Sequence, residues 1–238
     1  MILYYVRHGD PIYRPDSLTE KGLKQAEVLA KRFKKFGLDE IYSSPAIRAQ
    51  LTAEPTCKAL GIEKTIIEWA HEDCAWKYMT VQAEGERRRW GFQDKKICEI
   101  FNSREVRDLQ GEWYTHPAFK DTQFGEYIQK NNAQVDEFML SLGFEHDREN
   151  FRYKIVKPSG KKIALFAHQG MGMNVLSSIL DIPYPLFCTR YDISHSSVTA
   201  IYFNEDGEYV IPKVLFLSND SHLFKADILD KYNNMIEV

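Results

Sequence analysis

Ile2-Leu3-Tyr4-Tyr5-Val6-Arg7-His8-Gly9 begins with five apolar residues and ends on a cation, an imidazole and a glycine. A short apolar run closed this way suits a buried strand feeding a loop. The pattern returns 160 residues later in Ala164-Leu165-Phe166-Ala167-His168-Gln169-Gly170. In an open α/β sheet, ligands bind in the crevice beyond the carboxyl ends of parallel strands. Two such strand ends can therefore bring His8 and His168 together. A glycine after each lets the backbone approach a ligand closely. His168 also stands just before a helical stretch, whose free N–H groups favour an anion.

Working outward, strand and helix signals alternate over the first 70 or so residues. Helix signals start near Ser17–Thr19: Ser17 with Glu20 fits a capping box, and Thr19 is an equally good cap. Leu23, Ala26, Leu29, Ala30, Phe33 and Phe36 then recur at helical spacing until Gly37 stops the run. Glu40–Tyr42 reads as a second strand, and Ser43-Ser44-Pro45 introduces a helix on which Arg48 and Thr52 share a face. Gly61 ends that helix, and Thr65–Ile67 reads as a third strand. From Cys74 to Ser159 the alternation fails; helical patterns near 94–108 and 124–142 suggest a helical cap inserted into one domain. Its aromatic residues Trp76, Tyr78, Trp90 and Trp113 suit a small core of its own. Regular grammar returns with strand Ile163–Ala167, a helix to about Leu180, strands Ser197–Phe203 and Tyr209–Leu217, and a terminal helix over Leu223–Tyr232. The expected fold class is α/β with a mainly parallel, mixed sheet covered on both faces. The domain spans 1–238, with a core of about 1–73 and 160–238 and a cap of about 74–159.

The chain has 238 residues, 44% of them hydrophobic, enough for a real core without staples. A net charge of −3 argues against a global nucleic-acid or membrane-surface binder. No apolar run approaches the roughly 18 residues of a membrane span, and the N-terminus lacks the features of a signal peptide. The expectation is a cytoplasmic protein. Cys57, Cys74, Cys98 and Cys188 form no Cys-x-x-Cys pair, which argues against a structural zinc site or a dithiol motif.

Four segments together resemble the histidine phosphatase superfamily, the phosphoglycerate-mutase-like enzymes. They are Arg7-His8-Gly9; Leu18-Thr19-Glu20-Lys21-Gly22 with Gln25-Ala26; Ser43-Ser44-Pro45-Ala46-Ile47-Arg48-Ala49-Gln50-Leu51-Thr52-Ala53; and Ala167-His168-Gln169-Gly170. The resemblance covers about residues 1–73 and 161–217 and says little about the middle. It implies a three-layer α/β/α fold, no metal and no cofactor, and a small phosphorylated substrate. A homodimer stays open, since nothing in the sequence fixes the oligomeric state. Asp10-Pro11-Ile12-Tyr13 departs from the mutase pattern, which points towards a phosphatase-like member.

The chemistry asks for these residue types. A phosphoryl group in transfer spreads negative charge over its oxygens, so positioning and electrostatics dominate. Arg7 and Arg48 offer planar forks to phosphate, and His168 adds a third contact. The resemblance makes His8 the nucleophile, forming a phosphohistidine. It also puts a carboxyl acid soon after the third strand, where Glu68, Glu72 and Asp73 stand and Glu72 fits the spacing best. Gly9, Thr19, Gln169 and Gly170 are the expected substrate contacts, and Arg87 and Arg88 are candidates for a second anionic group. A metallohydrolase built on His8, Asp10, His71, Asp73 and His168 is disfavoured, because arginines beside ligands oppose a cation. A mutase-type transferase and a non-catalytic phosphate-binding module on the same fold are the remaining alternatives.

Overall fold

Alternation within the first strand already builds a sheet with two covered faces. Side chains along a strand point to opposite sides in turn. Leu3 and Tyr5 enter one buried cluster with Ile163, Leu165, Leu176 and Phe187. Tyr4 and Val6 enter another with Leu29, Phe33, Ala53 and Phe166. The computed structural model describes residues 1–82 and 85–229. Its main sheet has six strands: β1 (Ile2–Arg7), β2 (Glu40–Ser43), β3 (Lys64–Ile66), β4 (Lys162–Ala167), β5 (Val198–Tyr202) and β6 (Lys213–Asn219). The order is β6-β5-β1-β4-β2-β3. From β1 to β3 every neighbouring pair is parallel. Strand β5 runs antiparallel to both β1 and β6.

Helices α1 (Glu20–Phe36) and α2 (Ile47–Leu60) pack one face. Helix α3 (Glu72–Met79), the long α4 (Phe124–Ser141) and α5 (Gln169–Ile179) feed the core of the other. The architecture is a three-layer α/β/α sandwich. Thr19 caps α1 by accepting from the Gly22 N–H at 3.0 Å. Gly37, at φ 72°, ends it in a backbone conformation open to glycine. The buried stripe of α1 is Gly22, Gln25, Ala26, Leu29, Ala30 and Phe33. Leu23 and Phe36, included by spacing alone, are exposed, because the stripe is turned by one residue.

Four further expectations are corrected. The stretch 74–159 is not purely helical: Thr80–Val81 pairs with Arg89–Trp90, and Phe144–Asp147 pairs with Arg152–Ile155. Nor do its aromatic rings form a separate core, since Phe101, Trp113, Phe119 and Phe124 join the cluster that holds Leu165 and Tyr184. Tyr209–Leu217 is not one strand. Tyr209–Val210 pairs with the Arg152–Ile155 strand, and the chain rejoins the main sheet at Lys213. Pro212 separates the two pieces, and a proline has no N–H to give a ladder. At the far end, the helix covers only Ser221–Phe224, and Asp227 takes φ 57°, which ends helical continuation. The rest of the expected Leu223–Tyr232 helix, from residue 230, lies outside the described residues.

Candidate active site

Strands β1 and β4 are direct neighbours, with Arg7 opposite Ala167. The residues just beyond them, His8 and His168, therefore meet with ring centroids 5.2 Å apart. The neighbouring parallel strand β2 leads to Ser44 and Arg48, and β3 leads to Glu72. Four chain segments distant in sequence thus converge beyond the carboxyl edge of the sheet, around a cleft of about 790 Å³. Arg7, His8, Arg48, Glu72, Gln169 and Gly170 all line it.

Partners fix the protonation pattern. His8 Nδ1 lies 2.7 Å from the Gly9 carbonyl, which only accepts, so Nδ1 carries the hydrogen. Nε2 of the neutral ring is left with its lone pair. Burial, the His168 ring and the Arg7 guanidinium hold the His8 pKa well below its usual value. Arg48 Nη2 donates to His168 Nδ1 at 3.1 Å, so His168 carries its hydrogen on Nε2 and donates it to Ser44 Oγ at 2.8 Å. Burial and Arg48 depress the His168 pKa too. Tyr5 fixes its backbone, donating its hydroxyl to the His168 carbonyl at 2.7 Å.

Glu72 behaves in the opposite sense. Burial lifts its pKa to about 7, against the pull of Arg48 and of backbone N–H groups at Met171 and Gly170. The Met171 N–H, in the first turn of α5, donates to Oε1 at 3.1 Å, while Oε2 stands 3.3 Å from His168 Nδ1. One carboxyl oxygen is therefore held by the helix, and the other faces the histidines. Glu68 and Asp73 are not so placed: Glu68 opens a 3-10 turn, and the Asp73 side chain is 82% exposed.

His8, Glu72 and His168 bring one ligand atom each within 4.8 Å of one another. Two guanidiniums enter the same space, Arg48 on His168 and Arg7 beside them. Cations so close oppose a divalent ion and suit an anion.

Several expected contacts sit elsewhere. Gly9 and Thr19 do not line the cleft. A Cβ on Gly9 would lie 2.8 Å from the Gly22 carbonyl oxygen, so this glycine lets the loop pack on α1. At Gly170 a Cβ would come 2.3 Å from the Trp90 ring and 2.7 Å from Glu72 Oε1, so its missing side chain admits those groups. Thr19 caps α1 and donates to Asp10 Oδ2 at 2.7 Å. Arg87 and Arg88 do not line the cleft; Arg88 donates to Thr80 Oγ1 and the Lys77 carbonyl. The guanidinium that does reach the mouth is Arg14, at the turn of the Pro11–Tyr13/Asp16–Leu18 hairpin.

Two residues gain weight from the structure. Asp16, from that hairpin, pairs with Arg48 at 2.9 Å and accepts the Ile47 N–H at 2.7 Å, so it orients the arginine. His195, just ahead of β5, has its ring 5.7 Å from His8 and accepts from Arg7 Nη2 at 2.8 Å. Burial and Arg7 push its pKa down to about 2. The sequence offered a weak sign of His195 in its Ser194-His195-Ser196-Ser197 setting and none of Asp16.

Comparisons with known proteins bear on the family and the fold. Residues 3–101 match the family model of the histidine phosphatase superfamily (branch 1). Over 113 residues the chain is 34% identical to phosphoserine phosphatase 1 of Hydrogenobacter thermophilus, covering 40% of this chain. The match spans about half, 53%, of that relative's length. Among solved structures, the phosphoserine phosphatase of Entamoeba histolytica in complex with 3-phosphoglyceric acid shares the fold at a TM-score of 0.59. It is 18% identical, over 93% of this chain and 98% of that one. A mycobacterial glucosyl-3-phosphoglycerate phosphatase with VO3 aligns at a TM-score of 0.56 and 17% identity, over 90% and 97% of the two chains.

Proposed function

Because residues 3–101 match the model of the histidine phosphatase superfamily, we propose that this chain is a member and that it hydrolyses a phosphomonoester through a phosphohistidine at His8. The observation that carries the reading is the tautomer of His8. Its hydrogen is committed to the Gly9 carbonyl at 2.7 Å, so the free Nε2 lone pair belongs to a neutral, buried imidazole. Phosphate oxygens would take donors from Arg7 and Arg48. A bound dianion also reverses the local field, which favours a second proton on His168 and makes its Nδ1 a donor.

In the first step Nε2 attacks phosphorus, and the bond to the leaving oxygen breaks. Glu72, with a pKa near the working pH, gives that oxygen its proton. In the second, the Glu72 carboxylate takes a proton from water, whose oxygen attacks phosphorus and releases His8. Every group in this cycle comes from the chain and none requires a metal. The four cysteines are unpaired, which suits a reducing cytoplasm. Among the described residues, no helix is long and apolar enough to cross a membrane.

The test is rapid alkaline quench of the working protein with ³²P-labelled p-nitrophenyl phosphate, followed by peptide mapping. Label on the His8 peptide, absent from His8→Ala, is the expected result. Steady turnover with no label on that peptide would overturn the reading.

A further inference from the structure

Beside the phosphate cleft lies a second chamber of about 570 Å³, and Gln93 and Gln169 line both. We infer that this chamber receives the leaving group of the substrate, and that the leaving group is a ring with hydrogen-bonding edges, the chemistry shared by a glycosyl and a nucleoside. The inference rests on the hydrolase reading above and adds the class of substrate.

The wall between the chambers is polar and low. Gln169 is the first residue of α5, and its amide donates to Asp192, whose Oδ1 also accepts the Ile193 N–H at 2.7 Å. Opposite it, Gln93 is exposed. Two amides and a carboxylate thus offer donors and acceptors at the passage, which suits hydroxyl or ring-nitrogen edges. Phe92, half-buried, gives the second chamber one aromatic face. Trp90 lines the first chamber, and its ring stacks on Phe92 of the second at 5.7 Å between centroids and 15° between planes. Met173 is buried at the far side, and Tyr191 is 44% exposed at the rim. The lining mixes Phe92, Met173 and Tyr191 with polar groups that include Arg190 and Asp192, and volumes of about 300–1,000 Å³ enclose ligands larger than an amino acid. A serine leaving group would lie within the first chamber and leave the second to solvent. A ring stacked on the free side of Phe92, which the buried Trp90 backs, with its edge on Gln93, Gln169 and Asp192, would use both.

Four probes separate the possibilities: p-nitrophenyl phosphate, phosphoserine, glucose 6-phosphate and adenosine 5′-monophosphate. The wild-type chain should show kcat/KM for one of the two ring phosphates about tenfold above that for phosphoserine. Which of the two wins identifies the ring as glycosyl or nucleoside. Thr189→Trp, which fills the chamber, and Tyr191→Ala, which opens its rim, should each lower the ratio of kcat/KM for that ring phosphate to that for p-nitrophenyl phosphate by about tenfold. Phosphoserine as the best substrate, or a ratio unmoved in both variants, would overturn the inference. Failure of the hydrolase reading looks different: no turnover of p-nitrophenyl phosphate by the wild-type chain. Binding then still decides the chamber. Calorimetric titration of His8→Ala should find the preferred ring phosphate bound about tenfold more tightly than by His8→Ala/Thr189→Trp. Equal affinities would end the proposal.

Discussion

Two buried histidine centres in this protein sit in opposite charge environments. Beyond the carboxyl edge of the sheet, His8 and His168 stand among guanidiniums, and their pKa values fall well below the usual range. In the inserted stretch, the His146 side chain is fully buried between two carboxylates, with Nδ1 2.8 Å from Asp136 and Nε2 3.0 Å from Asp181. Arg148 completes that cluster, 2.7 Å from Asp136 Oδ1. Burial lowers the His146 pKa, but its two carboxylate partners outweigh it and the net shift is upward. Burial alone therefore does not tell what a histidine is for; the sign of its neighbours does. Neutral rings among cations make a place for an anion and leave a lone pair for chemistry. A charged ring between anions is a tie, here joining the Phe144–Asp147 strand to α4 and to the chain just after α5.

The largest effect should break the symmetry between the two centres outright. Removing the proposed nucleophile with His8→Ala should cost about 10⁵-fold or more in kcat, as loss of a covalent catalyst does elsewhere. The melting temperature should hold or rise, because an unfavourably buried ring is gone. His146→Ala should do the reverse, leaving kcat for p-nitrophenyl phosphate near wild type. Steady-state kinetics beside thermal melts reads both; a His146→Ala chain as inactive as His8→Ala would erase the distinction.

Glu72→Gln sharpens the picture within the catalytic centre. The amide keeps the acceptor for the Met171 N–H but has no proton to give, so kcat should fall by about 10²–10⁴-fold. The fall should be steeper with an alkyl phosphate than with p-nitrophenyl phosphate, whose leaving oxygen needs less protonation. In the wild-type chain kcat/KM should decline above pH 7, as Glu72 loses its proton, and also on the acid side, as His8 gains one. A Glu72→Gln chain that keeps the alkaline limb would show that another group is the acid.

These contrasts also mark where the sequence stops being readable. Arg7-His8-Gly9 and His168-Gln169-Gly170 declare themselves because each closes a short apolar run, a local signal. That both rings lie at the carboxyl edge follows from parallel-sheet rules, but that β1 and β4 are direct neighbours is a matter of strand order, which no local signal gives. Asp16 was not legible either: it comes from a three-residue strand of a small hairpin, and nothing local says that it will lie against Arg48. Arg14 and the Arg87-Arg88 pair are chemically alike in sequence, and only the tertiary path sends the first to the cleft and the others to solvent. Tyr209–Leu217 was misread because alternation was weighed and the breaking effect of Pro212 was not. The His146 cluster was invisible for the same reason as Asp16, since its carboxylates come from a helix and a connecting turn.

Smaller in size is the effect of the tie on stability. His146→Ala leaves two carboxylates without their shared partner, one of them only 12% exposed. Removing one member of a buried ion cluster typically costs about 3–5 kcal/mol, and Arg148 remains to hold part of this one, so about 2–3 kcal/mol is expected by urea melts. Asp181→Asn, which keeps the shape and removes one charge, should cost less than His146→Ala. Equal losses would mean that charge carries the whole cost and that packing against Tyr153, whose ring stacks on His146 at 4.0 Å, adds nothing.

The smallest effect is a slope, and it tests the sign of both centres at once. A histidine with its folded pKa raised binds more protons in the folded state than in the unfolded one between the two values. His146 therefore contributes its full stability below the unfolded value of 6.5 and loses it as pH rises through the folded pKa. His8 and His168 run the other way. Their folded pKa values lie below 6.5, so the unfolded chain binds more protons, and stability is lost as pH falls from 6.5 towards those values. The active-site pair should thus steepen acid destabilisation, while the His146 tie should produce a shallow decline on the alkaline side. Urea melts from about pH 5 to pH 8, a window spanning the ordinary imidazole pKa, should show the acid-side slope flattened in His8→Ala and the alkaline-side slope flattened in His146→Gln. If both substitutions flattened the alkaline side, the two centres would share one electrostatic sign, and His8 would enter the cycle as a cation with no lone pair to attack phosphorus.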